Sequence, residues 1–169
     1  MSKPIIFGRD EVLAILDGRK TQTRRIVTEK CVDCRYGFIG DELWVKETWW
    51  KVDFSPIKLF YDADLTDGER KIARRDELTK VSPLFLSKKD SRITLKITDI
   101  RLQNLQDITD EDAKAEGCLE SEYVGNIDGS PCYTFSFEIL WTSIYGIDNP
   151  KAWDSNPLVW AISFERIKP

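Results

Sequence analysis

Apolar and polar positions alternate most cleanly over residues 92–98, where Ile93, Leu95 and Ile97 fall on one side of a strand. The same two-residue period returns over 158–167 with Trp160, Ile162 and Phe164, which predicts a closing strand after Asn156-Pro157. Gly40-Asp41 reads as a turn opening another strand, with Leu43 and Val45 on one face. A shorter strand is expected over 58–62.

A helical period replaces this pattern in three places. Residues 10–17 form a short amphipathic helix with Asp10 as N-cap and Gly18 as its stop. Thr109 and Asp112 stand at capping-box spacing and open a helix that closes on Gly117. Over 133–145, Phe137, Leu140, Trp141 and Ile144 make one apolar stripe, which reads as core. Residues 66–89 are charged and without clear period, so a long irregular surface excursion is expected there, within an insertion spanning about 50–90. Short strands interleaved with few helices predict one α+β domain over 1–169. Its expected core is a small barrel of five to six mostly antiparallel strands, with helices at its ends.

Composition narrows the chemistry. The chain has 169 residues, 41% hydrophobic and 32% charged, as an ordinary water-soluble domain does. No apolar run approaches a membrane span and the N-terminal residues lack signal-peptide anatomy, so a cytoplasmic protein with no membrane partner is expected. Histidine is absent, which removes every His-based triad, dyad or proton shuttle. A net charge of −4 argues against broad double-stranded DNA binding. Cys31 and Cys34 have the C-x-x-C spacing of a zinc knuckle, which Cys118 and Cys132 would have to complete. Those two stand 14 apart, so free thiols, no metal and no cofactor are the main expectation and zinc the minor alternative.

Against this acidic background, Asp17-Gly-Arg-Lys-Thr-Gln-Thr-Arg-Arg25 carries four cations in seven residues. The end of the first helix would accommodate Arg19 and Lys20 through its dipole, but not all four. As an anion site, Arg19, Lys20, Arg24 and Arg25 neutralise phosphates while Thr21, Gln22 and Thr23 hydrogen-bond backbone or base. Trp49, with Trp44 and Trp50 near it, offers a face for an unpaired base. At least one of the adjacent Trp49 and Trp50 is expected to be exposed. As a catalytic site, a Lys–Thr pair is one of the few arrangements that runs acyl transfer without histidine. Lys20 and Thr23 share a face if the segment is a helical turn.

Five ordered stretches carry a resemblance: 14–25, 40–49 (Gly-Asp-Glu-Leu-Trp-Val-Lys-Glu-Thr-Trp), 91–95, 105–117 and 160–167. In these the chain resembles the ASCH domain family of the PUA-like superfamily, in a longer form similar to versions common in bacteriophages and prophages. The resemblance implies a PUA-like barrel that binds single-stranded RNA or a modified nucleoside in a cleft beside the barrel. One branch is similar to amidohydrolases of N4-acylated cytidine, and others are ribonucleases. Matched to that branch, the catalytic residues fall on Lys20, Thr23 and Glu116, with Glu116 either protonating the leaving amine or orienting an attacking water. By family position Lys46, Glu47 and Arg92 brace the cleft, and Arg92 adds to its cationic lining. Arg24 stands where the branch has an aliphatic residue, and the 50–90 insertion departs from it too. Two activities stay open: hydrolysis of an amide or an RNA phosphodiester, and binding alone, as a non-enzymatic module or a phage-type regulator of a host partner.

Overall fold

A computed structural model describes residues 2–28, 33–52, 59–75, 78–120 and 132–167. Among these, eight strands in two sheets and four helices make a mixed α+β fold. β1 (Ser2–Ile6) pairs in parallel with β3 (Glu42–Lys46), and β3 runs antiparallel to β7 (Thr94–Asn104). β7 pairs with β8 (Leu158–Ile167), and β8 with β2 (Gln22–Ile26), both antiparallel. The sheet order is therefore β1-β3-β7-β8-β2, with β1 and β2 as its edges. Among the described residues no strand pairing joins these edges into a closed barrel.

The alternation read from the sequence is the alternation that buries. Leu43, Val45, Ile93, Leu95, Ile97, Ile162 and Phe164 close on Ile5 and Phe7. α1 (Arg9–Leu16) covers that core with Val12 and Ile15. Its N-cap is Gly8 rather than Asp10, because the Glu11 carboxylate reaches back to accept from the Gly8 N–H at 2.8 Å. A second core lies where α3 (Asp110–Ala115) and α4 (Tyr133–Tyr145) pack over β8. There Leu105, Ile108, Ala113, Phe137, Trp141 and Val159 meet. Burying each large apolar side chain in these cores stabilises by about 1.5–3 kcal/mol before conformational entropy is charged.

Two expectations about order change. The stretch expected to be irregular holds α2 (Asp67–Arg75) and β6 (Leu78–Val81). With β4 (Trp49–Val52) and β5 (Leu59–Tyr61), β6 makes a second sheet of order β5-β4-β6. The residues there are charged because both α2 and β6 are solvated on one side, which hides their period. β7 also runs past residue 98 to Asn104, through a bulge between Ile97 and Asp99 that breaks the two-residue pattern. Among the described residues no helix is long and apolar enough to cross a membrane.

Candidate functional site

Four elements converge at the cationic stretch. α1 ends at Leu16, Gly18 turns the chain at φ +78°, and Lys20 forms an isolated bridge with Glu116 just past α3. β2 then carries Gln22 to Ile26 along β8. The motif thus lies on a bridge and a strand, not on a helical turn. Gly117 makes the junction possible: its φ is +89°, and a Cβ there would stand 3.1 Å from both the Ala14 and Lys20 Cβ atoms.

Lys20 is 2% exposed and Glu116 4%. The Lys20 ammonium donates to Glu116 Oε2 at 2.7 Å and to the Glu116 carbonyl at 2.9 Å, with Glu11 Oε1 at 3.6 Å. The other Glu116 oxygen, Oε1, accepts from Arg24 Nη1 at 3.2 Å. Arg24 also donates to Gln22 Oε1 at 2.6 Å and to Asp112 Oδ2 at 2.7 Å. Asp112 accepts in turn from Arg101 at 2.8 Å and from the Gln22 amide at 3.2 Å. Burial pushes the Asp112 carboxyl up, but the Arg101 hydrogen bond, the Arg24 charge and the Gln22 contact outweigh it and hold it below the usual range. This is a buried network in which each carboxylate is matched by cations.

Beside it opens a cavity of about 230 Å³. Lys20, Thr23, Arg24, Arg25, Glu11 and Glu116 form its polar side, and Phe137, Leu140, Trp141, Ile144, Tyr145 and Ile6 its apolar side. Thr23 is 2% exposed and lines the cavity. The Lys20 ammonium is turned to Glu116. The helical stripe of α4 is therefore core and cavity wall at once. Burial pushes the Tyr145 hydroxyl above its ordinary value, with the Arg25 charge opposing. Cys118, near Glu116, has its thiol pushed up to about 12, chiefly by burial and then by the Glu116 charge. It is no nucleophile at neutral pH.

Lys20, Thr23 and Glu116 thus share one cavity with Arg24 and Arg25. Gln22 supports them from below. The remaining candidates stand apart. Arg19 is exposed, holding Asp17 and the Gly117 carbonyl at 3.2 Å each. Thr21 is exposed, and its N–H donates to the Ala115 carbonyl at 2.7 Å. Trp49 is half-buried on β4, and Trp50 is fully buried with its indole N–H on Asp62 at 2.7 Å. Neither is the exposed platform expected of at least one of them. Lys46 donates to the Leu84 carbonyl at 2.7 Å. Arg92 holds buried Glu47 in a two-bond grip at 2.9 and 3.0 Å and Asp64 at 2.7 Å, which ties the two sheets together. Cys34 is buried and Cys31 lies outside the described residues. Among the described residues no three His, Cys, Asp or Glu side chains cluster as metal ligands.

Glu11, Asp112 and the aromatic wall of α4 were not legible as site residues. In the sequence Asp112 reads as the capping partner of Thr109. It keeps that role through its N–H, at 3.2 Å, which leaves the carboxylate free for Arg24.

No family model and no curated protein matches this chain. Among solved structures it is similar to a crystal structure of protein EF3133 from Enterococcus faecalis V583, of the family model DUF984. Identity is 12% and the TM-score 0.48, over 99% of this chain and 82% of that one, and nothing further rests on the likeness.

Proposed function

We propose that this is an ASCH-type protein that binds a modified nucleoside, alone or within single-stranded RNA, and hydrolyses an amide on its base. The observation that carries this reading is the shared cavity. A buried threonine and a buried Lys–Glu pair face an aromatic wall across about 230 Å³. That volume is below the roughly 300–1,000 Å³ of drug-sized pockets and suits one planar base with a small substituent. A PUA-like barrel fits this reading through the two sheet edges. Arg25 of β2 donates to the Ile6 carbonyl of β1 at 2.8 Å, so the edges approach one another at the cavity.

The chemistry runs as follows on these groups. Within the 2.7 Å hydrogen bond a proton passes from Lys20 Nζ to Glu116 Oε2, leaving an amine as base and a carboxylic acid as acid. The Lys20 amine takes the Thr23 proton as Oγ1 attacks the acyl carbon. The carbon–nitrogen bond breaks as Glu116 protonates the leaving exocyclic amine. Water then cleaves the threonyl ester to the free acid and restores the hydroxyl.

Binding without turnover is the competing reading, and one observation favours it: Lys20, Arg24 and Glu116 already satisfy each other. Turnover of N4-acetylcytidine and of short single-stranded RNA decides between them. Under the hydrolytic reading Thr23→Ala lowers kcat by several orders of magnitude with substrate affinity retained, and Glu116→Gln and Lys20→Arg also abolish turnover. A wild-type protein that binds these compounds and turns none over, even at high enzyme concentration, establishes the binding reading.

A further inference from the structure

The four cations of the motif are not equivalent. Arg19 stands outside the cavity against Asp17, and Lys20 and Arg24 are matched by Glu116, Glu11 and Asp112. Arg25 also lines the cavity, yet among the described residues no carboxylate pairs with it. Its guanidinium lies 5.0 Å over the Phe7 ring and donates to a neutral group, the Ile6 carbonyl, at 2.8 Å. Its Nε, like that of Arg24, is buried with no partner among the described residues. Three cations and two carboxylates line the cavity, so one positive charge is left over, and it is on Arg25. A half-buried cation without a counterion is costly, and an anion from outside relieves that cost.

Its location says which part of a ligand it meets. Ile6 and Ile144, which share the cavity wall, are 39% and 58% exposed, so this end is the mouth. Thr23, Lys20 and Glu116, which line the same cavity, are buried. A base reaching Thr23 leaves its sugar, and what the sugar carries, at the mouth.

We infer that Arg25 is the phosphate anchor of this site, so that the ligand is a nucleotide, free or in an RNA chain, rather than a neutral nucleoside. This rests on the reading of the cavity as a nucleoside site. A guanidinium suits the role because its fixed fork holds phosphate oxygens in two directions at once, while the Phe7 face and the Ile6 carbonyl keep it aimed.

Calorimetric titration of cytidine, cytidine 5′-monophosphate, the corresponding N4-acetylated pair and a short single-stranded RNA tests it. Wild type should bind each nucleotide about tenfold to a hundredfold more tightly than its nucleoside, a gain that shrinks as salt rises. Arg25→Gln should bring that ratio close to one, and Arg25→Lys should restore part of it. Gain on the mononucleotide places the anchored group on the nucleotide itself, and gain on RNA alone places it in the chain. If nucleosides bind wild type as tightly as nucleotides and RNA do, the phosphate anchor is overturned while the nucleoside site stands. If the ratio survives in a folded Arg25→Gln protein, the anchor is another residue. Failure of all the ligands to bind wild type overturns both.

Discussion

Lys20 shows how far a single residue's role depends on what burial places around it. From the sequence it is one cation among four; in the structure its side chain is 1% exposed against a Glu116 side chain of 3%. Removing Lys20 leaves the Glu116 carboxylate in a desolvated site with only the longer Arg24 contact, at 3.2 Å. Lys20→Met should therefore cost roughly 3–5 kcal/mol in urea unfolding, far more than truncation of a surface lysine. Lys20→Met with Glu116→Gln should recover most of that loss, because no buried charge is left unmatched. A Lys20→Met protein of wild-type stability would place the lysine in water instead. Arg24 belongs to the same buried set, so charge reversal there is a stability change as well as a binding change. Charge runs are legible in a sequence and burial is not. That is why the stretch was visible, and why the division of labour between Arg24 and Arg25 was not.

At the scale of elements, the site depends on one close approach, between the end of α3 and the segment that follows α1. Gly117→Ala meets two separate obstacles: left-handed backbone at φ +89°, and a new Cβ 3.1 Å from the Ala14 and Lys20 Cβ atoms. Gly18 isolates the first of these, since its φ is +78° and no atom lies within 4 Å of a Cβ built there. Gly18→Ala should lose about 1–2 kcal/mol from backbone strain alone. Gly117→Ala should lose more and, by displacing Lys20, should also weaken ligand binding, which Gly18→Ala should not. Equal losses in the two variants would mean that the contact with Lys20 is unimportant. Element boundaries were legible where a single period ran unbroken, as in α4 (Tyr133–Tyr145) and β8 (Leu158–Ile167). They were lost where a bulge interrupts β7 and where α2 and β6 turn one side to water. They were also lost at β2, whose Gln-Thr-Arg-Arg-Ile has no apolar alternation because polar groups face both the network and the cavity.

For the molecule as a whole, the question is how the second sheet is held to the first. Ala63 packs into the core of the first sheet, and beside it the join is polar: Arg92, just ahead of β7, grips Glu47 between β3 and β4 and Asp64 just beyond β5. Burial holds the Glu47 carboxyl above its ordinary value of 4.5, and the Arg92 hydrogen bond and charge only partly oppose this. The sign follows from proton counting. With the higher value in the folded state, the folded protein binds more protons than the unfolded chain as pH rises past 4.5. The contribution of Glu47 to stability is thus complete below 4.5 and is lost as pH climbs through the raised value. In Arg92→Met the opposing cation is gone, so the raised value moves higher and more stability is lost between pH 4.5 and neutrality. Chemical unfolding at a series of pH values should show Arg92→Met falling away from wild type across that window. Adding Glu47→Gln, which leaves nothing to ionise, should flatten the difference. Parallel profiles for wild type and Arg92→Met would mean that Glu47 finds another counterion and that Arg92 is not what joins the sheets. Ligand binding at the Lys20 cavity should be nearly unchanged in both variants, since none of Arg92, Glu47 and Asp64 lines it.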